Sequence, residues 1–211
     1  MNKSRGSGGF TLVELMAALA VVVMLGLTFA GALPMLRNKA LQALCASNLR
    51  NCHLATMIYI ADNNGFLPPN NNPTGSWDKA LVVKSKILDG SFACCPACAP
   101  FQYTPAQYAH GNVYASDCRN SETYQKKIDG HDGVASNVIL FADSINAEGQ
   151  QTSWGFAYAD YAKIDCRHEK RANLCFMDGH IEALSRDELI SRFKFNPALV
   201  VESEHKGGMK K

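Results

Sequence analysis

Eight cysteines are the residues of this 211-residue chain that are best suited to chemistry. Two of them stand in the sequence Cys95-Pro96-Ala97-Cys98, a CxxC spacing found both in thiol redox motifs and in half of a zinc site. A redox motif needs a following helix that lowers the pKa of its reactive thiol, whereas Pro96 and Pro100 disfavour a helix here. In an oxidising compartment, structural disulfides are the expected state of such cysteines.

The spacing of the cysteines leaves their pairing open, because eight thiols allow many pairings. Two patterns join cysteines that are close in the sequence: Cys95 or Cys98 with Cys118, and Cys166 with Cys175. Sequence proximity is the basis of both patterns, so both are hypotheses.

Cys45 and Cys52 lie on a predicted helix, where seven residues separate their Cα atoms by about 10.5 Å. A disulfide requires a Cα separation below about 7 Å, so these two cysteines cannot bond each other. Either each reaches a cysteine in another part of the chain, or both are buried thiols that pack as small apolar side chains.

Two further sets of side chains have the chemistry of metal ligands. Two imidazoles and a turn carboxylate suit zinc or a similar ion, and they belong to His168, Asp178 and His180. Loop carboxylates suit Ca²⁺, and they belong to Asp129, Asp132 and Asp143. Turn formation alone explains Asp178, and a backbone hydrogen bond alone would explain His168. The sequence therefore names weak candidates for Zn²⁺ or Ca²⁺ and no confident cofactor.

The elements that must position these side chains are a strand, a hairpin and a short helix. The β-branched and aromatic run Asn137–Asp143 predicts a buried strand. Asp178-Gly179 between two apolar runs predicts a two-residue type I′ hairpin, with Phe176 opposite Ile181 and Leu174 opposite Ala183. A capping box, Ser185-Arg186-Asp187-Glu188, predicts a helix to about residue 195.

The N-terminal third of the chain predicts one long helix. The 22 residues from Leu15 to Leu36 carry no charge, and as a helix they span about 33 Å, which is enough to cross a bilayer. Apolar residues then recur at steps of three and four on one face, at Leu41, Leu44, Cys45, Leu49, Cys52, Thr56, Tyr59 and Ile60. Turn-forming residues at 62–65 end the helix, and the whole pattern predicts an α+β fold.

An apolar segment at this place has three interpretations. A secretory signal peptide would be cleaved near Ala30-Gly31-Ala32, but its apolar region would be unusually long. An uncleaved signal anchor fits the length better. Neither explains Glu14, an acidic residue at the edge of the apolar run, where a carboxylate needs a partner.

The third interpretation rests on a resemblance. Gly9-Phe10-Thr11-Leu12-Val13-Glu14 resembles the class III leader of type IV pilins and type II secretion pseudopilins. The resemblance implies that a prepilin peptidase cuts after Gly9 and methylates the amino group of Phe10. It also implies that Glu14 pairs with the N-terminal ammonium of a neighbouring subunit in a filament, whereas a carboxylate that snorkels to the headgroups is the simpler role.

A second resemblance concerns the C-terminal part. His168, nine intervening residues and Asp178-Gly179 are similar to the H-X9-DG ending of prepilin-type proteins. The resemblance implies a pilin-like protein in which a small antiparallel head packs on the stem helix. Its parts are a leader (1–9), a transmembrane stem (10–36), an exported stem (37–64) and a head with long irregular loops (65–211).

The composition of the chain limits the classes of function that it can have. A formal net charge of +2 and 19% charged residues give no broad basic surface for nucleic acid, and we find no sequence motif of an enzyme. We therefore expect a structural subunit of a pilus-like filament or a secretion pseudopilus, anchored in the inner membrane with its N-terminus cytoplasmic. Its partners would be prepilin peptidase, copies of itself or other pilins, and membrane lipid.

Two other functional classes stay open at this point. One is a membrane-anchored extracytoplasmic module that binds a glycan, a protein or a metal and does not polymerise. The other is a thiol oxidoreductase, which would require a free and reactive Cys95 or Cys98.

Overall fold

A computed structural model describes residues 10–69, 76–98, 103–105, 109–112, 135–153 and 162–203 of the chain. The chain divides into two compact units, residues 1–37 and residues 38–211. The finer boundaries expected from the sequence stay predictions.

The predicted long helix is confirmed and spans Leu12–Asp62 (α1). Thr11 precedes it, and the Glu14 carboxylate accepts a hydrogen bond from the Thr11 backbone N–H at 2.8 Å. The Thr11 hydroxyl in turn accepts from the Glu14 N–H at 3.3 Å, so the two residues form a capping box. At the other end Gly65, at φ 80°, donates its N–H to the carbonyl of Ile60 at 2.9 Å, as expected of a left-handed helix cap.

One face of the second half of α1 is buried. The buried residues are Cys45, Leu49, Cys52, His53, Ala55 and Thr56. Four of them were expected from the spacing of apolar residues. Leu44 was also expected on this face, but it is 55% exposed, because it lies on the flank of a stripe that is centred on Leu49 and Cys52.

Within the part of the chain that the structure describes, seven short strands form two sheets. In chain order the strands are β1 (Gly111–Asn112), β2 (Ile139–Ala142), β3 (Ser144–Ile145), β4 (Lys163–Asp165), β5 (Arg171–Phe176), β6 (Ile181–Ser185) and β7 (Val200–Val201). The larger sheet is antiparallel and has the order β1-β2-β5-β6. The smaller sheet has the order β3-β4-β7, in which β4 and β7 are parallel. The α+β fold with a small antiparallel sheet is therefore confirmed.

The larger sheet separates two core clusters. On one face Cys175 and Met177 pack in the first core cluster, together with Trp77, Phe141 and the buried face of α1. On the other face lies the second core cluster. Its members are Ile139, Ala142, Ala162, Ile164, Cys166, Ala172, Leu174, Phe176, Leu184, Leu189 and Val200. Residues 172–176 of β5 are all buried, which is the pattern expected of a strand that is covered on both faces.

A β-bulge interrupts the pairing of β2 with β5 between Ile139 and Phe141. The bulge inserts one extra residue, and in consequence the consecutive residues Leu140 and Phe141 both pack in the first core cluster. Beyond the bulge, the side chain of Asp143 is directed toward α1, where it contacts Cys45. Without the extra residue, the strict alternation of a strand would place Asp143 on the opposite face.

The predicted hairpin exists, but its predicted register is wrong by one residue. Cys175, not Phe176, pairs with Ile181, and Asn173, not Leu174, pairs with Ala183. A type I′ turn needs a positive φ at both central residues, whereas Gly179 alone in this turn has one, at 87°. The loop therefore has three residues, 177–179.

The shift moves the β6 side chains to the opposite faces of the sheet. Ile181 packs against the first core cluster. His180 stacks on Phe176, with ring centroids 4.1 Å apart.

The short helix after the hairpin is confirmed as Arg186–Phe193 (α2). Its predicted capping box is complete, because the Ser185 hydroxyl accepts from the Glu188 N–H and the Glu188 carboxylate accepts from the Ser185 N–H at 2.7 Å. Two backbone N–H groups at the start of the helix, which have no carbonyl partner within it, thereby gain hydrogen-bond acceptors.

The hairpin turn packs against the stem through Gly179. A Cβ atom at this position would lie 2.8 Å from Cε1 of His53, whereas a Cβ at Gly149, at φ 77°, would meet nothing within 4 Å. We predict that Gly179→Ala lowers the free energy of unfolding by about 2–5 kcal/mol, from the positive φ and the overpacking together. Gly149→Ala should cost only about 1–2 kcal/mol.

Urea unfolding of the detergent-solubilised chain, followed by tryptophan fluorescence, measures both losses. Equal losses for the two variants would show that His53 moves aside without cost. A double variant that also carries His53→Ala should recover the difference between them if the contact with the ring is its cause.

Candidate functional site

Four buried side chains from distant parts of the chain meet beside α1. They are Cys45, Cys95, Asp143 and His168, and their sulfur, nitrogen and oxygen ligand atoms all lie within 4.8 Å of one another. We call this group the Cys-Asp-His cluster. Soft sulfur, imidazole nitrogen and carboxylate oxygen are all donor types that transition metals use in proteins.

A different element supplies each member of the cluster. Cys45 projects from the buried face of α1. Cys95 begins a turn in which the N–H of Cys98 bonds to its carbonyl at 3.3 Å. Asp143 lies between β2 and β3, and His168 lies in the turn that precedes β5, where it bridges to Arg171. The cluster therefore exists only when helix, loop and sheet are assembled.

The distances inside the cluster are those of direct contact. The Cys45 thiol donates to Oδ1 of Asp143 at 3.1 Å. The Cys95 sulfur lies 3.4 Å from Nε2 of His168, and this nitrogen lies 3.4 Å from Oδ2 of Asp143. The carboxylate thus contacts both the stem cysteine and the histidine.

The backbone of β5 holds Asp143 in place. Oδ2 of Asp143 accepts a hydrogen bond from the Asn173 N–H at 2.8 Å, and the Asp143 N–H donates to the Asn173 carbonyl at 3.1 Å. The carbonyl of Asp143 accepts from the Asp165 N–H at 3.0 Å. A fully buried carboxylate is tolerated when its lone pairs are satisfied in this way.

The neighbouring Arg167 is a buried cation. Its Nε lies 2.9 Å from Oδ2 of Asp165, and its Nη2 donates to the carbonyl of Ser144. Burial opposes the charged form of the guanidinium, but the nearby Cys98 and Cys95 sulfurs and two carboxylates raise its pKa above the ordinary value. Arg167 therefore supplies a permanent positive charge beside the cluster.

The two cluster thiols differ in acidity. Burial alone would raise the pKa of Cys95, but hydrogen bonds with Cys45 and His168 lower it to about 6. Burial and the adjacent Cys95 raise the pKa of Cys45 well above its usual value. Burial also disfavours the charged form of His168, but the Asp143 carboxylate and Cys95 raise its pKa above the ordinary value. The cluster thus favours the thiolate on Cys95 over a thiolate on Cys45.

A second histidine, His110, lies beside the cluster. Its side chain is 1% exposed, and Nδ1 lies 3.7 Å from Oδ1 of Asp143. Among the residues that the structure describes, neither of its ring nitrogens has a hydrogen-bond partner. Burial lowers the pKa of His110 to about 4, although Asp143 opposes this shift.

The metal-ligand sets expected from the sequence are not assembled as predicted. His168 belongs to the Cys-Asp-His cluster, but Asp178 and His180 lie at the hairpin turn, where their side chains pair with each other at 2.6 Å and are each 37% exposed. Of the carboxylates suggested for Ca²⁺, Asp143 lies in the cluster, and Asp129 and Asp132 fall outside the described residues.

The seven cysteines that the structure describes are buried, and no disulfide joins any of them to another. The suggested pairing of Cys166 with Cys175 is not formed, because the two side chains pack in different core clusters on opposite faces of the sheet. Cys118 lies outside the described residues, so its bond with Cys95 or Cys98 stays a prediction. Both sulfurs of the CxxC sequence are buried, which does not suit exchange with a protein disulfide.

Cys45 was not predicted as a candidate ligand, and Asp143 was suggested only as a ligand of Ca²⁺, although both carried a signal for this cluster. Cys45 was placed on the buried face of the helix, where one expected option was contact with a cysteine elsewhere in the chain, and it does lie beside Cys95. Asp143 ends an apolar strand, where an acidic residue can be buried only with partners. Cys52, the other stem cysteine, donates its thiol proton to the carbonyl of Phe92 at 3.4 Å.

The predicted processing and assembly residues lie at the start of the chain. Gly9 is outside the described residues, and Phe10 is 89% exposed immediately before α1. The sequence family described as "Prokaryotic N-terminal methylation motif" matches residues 4–30. The chain carries a prepilin-type N-terminus.

The prepilin-type motif supports a type IV pilin-like precursor. No curated protein and no solved structure matches the chain. Within the described residues, α1 is long and apolar enough to cross a membrane, and its most apolar window has no buried residues. Helix and motif together fit a protein anchored in the inner membrane. The comparisons do not show the H-X9-DG ending. In the structure of this prepilin-type chain, His168 belongs to the cluster and Asp178-Gly179 forms the hairpin turn.

Arg167 should matter to the stability of the site through its charge. We predict that Arg167→Met, which keeps an apolar stem of similar length, lowers the free energy of unfolding by about 3–5 kcal/mol, because it leaves buried carboxylate charge uncompensated. The matched control is Arg192→Met, which breaks an exposed ion pair with Glu182 and should cost about 0–1 kcal/mol. Urea unfolding of both variants gives the comparison, and similar losses would contradict a special role for the buried charge.

Proposed function

We propose that this protein is the precursor of a structural subunit of a type IV pilus-like filament or a type II secretion pseudopilus. A prepilin peptidase cleaves it after Gly9 and methylates the amino group of Phe10. The observation that carries this proposal is the methylation motif at residues 4–30, which leads directly into the 51-residue helix α1. A methylated terminus on a long apolar helix suits the stem of a filament subunit.

In the proposed pathway the precursor is a single-pass protein of the inner membrane. Lys3 and Arg5 stand before the apolar run, and basic residues favour the cytoplasmic side. The head would then lie on the periplasmic or extracellular side. Membrane lipid surrounds the stem before assembly, and stems of other subunits replace the lipid afterwards.

The apolar side chains of the first half of α1 are the surface for this exchange. From residue 12 to residue 36 they are exposed around the helix, including Leu15, Leu19, Val22 and Phe29. A helix that is apolar on all sides is stable either in lipid or packed among other such helices. This apolar surface therefore stays out of water both in lipid, before assembly, and among the stems of copies of this chain or other pilins, after assembly.

Glu14 has two roles in this proposal. In the single chain its carboxylate caps α1 through Thr11. In a filament, the same carboxylate would pair with the methylated ammonium on Phe10 of a neighbouring subunit. An ionised side chain near the membrane requires such a partner, and the requirement can select one axial register of the stems.

Mass spectrometry of the N-terminal peptide, from protein isolated from its native membrane, tests the processing step. We expect a peptide that begins with N-methylated Phe10. A matched variant, Gly9→Val, should keep the leader and begin at Met1 or Asn2. A wild-type chain that begins at Met1 or near Leu33 would overturn the proposal.

Two variants separate the roles of Glu14. Glu14→Gln keeps a residue that can close the capping box but removes the charge, so we expect processed monomer and strongly reduced filament. Thr11→Ala removes the Thr11 hydroxyl from the cap and keeps the charge, so we expect filaments at near wild-type amount. Sheared surface fractions and membrane fractions, compared by immunoblot, give the two amounts. Filament loss in Thr11→Ala but not in Glu14→Gln would assign Glu14 to helix capping alone.

A further inference from the structure

We propose that Cys45, Cys95, Asp143 and His168 form a structural zinc site inside the head. This site goes beyond the proposed filament function, and the argument for it is independent of how the N-terminus is processed. The four ligand atoms are mutually within 4.8 Å, and all four side chains are buried. A zinc ion with four protein ligands and no open position is the pattern of a structural site.

Two of the separations match the edges of a zinc tetrahedron. Bond lengths of about 2.3 Å to sulfur and about 2.0–2.2 Å to nitrogen or oxygen imply ligand–ligand distances of about 3.3–3.8 Å. The Cys95 sulfur and Oδ2 of Asp143 each lie 3.4 Å from Nε2 of His168. The Cys45 sulfur lies 3.1 Å from Oδ1, the other oxygen of the same carboxylate, and the four ligand atoms all lie within 4.8 Å of one another. Small movements of the side chains would bring both sulfurs, the nitrogen and one carboxylate oxygen onto one ion.

The donor set selects the class of metal. Two sulfurs and an imidazole are poor ligands for Ca²⁺ and Mg²⁺, which prefer oxygen. Two sulfurs, one nitrogen and one oxygen in a closed site favour zinc.

Charge balance supports the assignment. With both thiols deprotonated and the imidazole neutral, the ligands carry three negative charges, so a zinc ion leaves one. The buried guanidinium of Arg167 lies near Cys95 and reduces the effect of this excess, while it also pairs with Asp165. A buried metal cluster with a nearby compensating charge has a much lower desolvation cost than an uncompensated one.

The surroundings of Asp143 fit a ligand rather than an ordinary buried acid. The Asn173 N–H fixes the carboxylate, as partners around a metal site commonly fix its ligands. His110, whose ring nitrogens have no hydrogen-bond partner among the described residues, lies 3.7 Å from Oδ1 of Asp143. This oxygen now accepts the Cys45 thiol proton. Zinc binding would remove that proton and leave the oxygen to His110 or to the metal.

The alternative to zinc binding is a disulfide between Cys45 and Cys95. An oxidising compartment favours it, and a disulfide would exclude the metal, because zinc requires both sulfurs as thiolates. The two states differ in mass and in metal content, so one preparation distinguishes them.

The test uses the full chain, extracted from its native membrane in detergent without added metal or reductant. Inductively coupled plasma mass spectrometry should find about one zinc ion per chain. Cys45→Ser, Cys95→Ser and His168→Gln should each lower the zinc content to about a tenth or less. The matched controls, Cys166→Ser and His53→Gln, replace buried residues outside the cluster and should keep it.

A second measurement does not depend on the folding of any variant. The wild-type chain, stripped of metal with a chelator, is titrated with Co²⁺ and then with Zn²⁺. Visible bands of tetrahedral cobalt and a thiolate-to-cobalt charge-transfer band should appear and then disappear as zinc displaces cobalt. Chelation of the native chain should lower its thermal unfolding temperature, and added Zn²⁺ should restore it.

Three results would overturn the proposal. The first is a native chain without zinc in which peptide mapping finds Cys45 bonded to Cys95. The second is a reduced chain that takes up neither Co²⁺ nor Zn²⁺. The third is zinc that stays bound in both the Cys45→Ser and the Cys95→Ser variant, which would place the metal elsewhere.

Discussion

The buried carboxylate of Asp143 is the constraint on which the head depends. It lies where β2 of the larger sheet leads into β3 of the smaller one, and its backbone and side chain bond to both sheets and to the stem through Asn173, Asp165 and Cys45. A buried charge is tolerated only when such partners are all present. The need to satisfy this one group therefore couples the position of α1 to the positions of both sheets. The same need explains why cysteine, histidine and arginine side chains collect in an otherwise apolar interior.

The β-bulge in β2 makes this arrangement possible. One extra residue reverses the alternation of the strand, so Asp143 faces the stem rather than the second core cluster. Bulges are a common means of directing a side chain to a site. The position of a bulge depends on the pairing partner, and residues 138–142 are apolar on both faces, so the sequence contains no signal for the extra residue. This is the physical reason why the strand could be predicted and the role of Asp143 could not.

The other elements also differ in whether local or long-range interactions determine their structure. Local interactions specify the helix cap at Ser185 and the end of α1 at Gly65, and the sequence predicted both. The hairpin register failed because Asp178-Gly179 is compatible with two loop lengths. The contact of Gly179 with His53, which is 126 residues earlier in the chain, is one tertiary feature of the observed loop. The weak metal-ligand candidates His168, Asp178 and His180 were grouped because they are close in sequence, whereas the cluster draws its members from four separate parts of the chain.

The capping box at the start of α1 gives Glu14 a role within the single chain, in addition to its proposed role in a filament. Thr11 and Glu14 have the T-x-x-E spacing that closes a helix N-terminus, and both residues also belong to the pilin-like leader sequence. The carboxylate is thereby held beside the first residues of the proposed mature chain, close to its own terminal amino group in sequence. In the proposed filament, pairing with a neighbouring subunit must therefore compete with a satisfied local contact. Assembly through Glu14 is then favoured only where packing of the apolar stems contributes the rest of the free energy of association. An isolated ion pair would therefore not join two subunits in the wrong register.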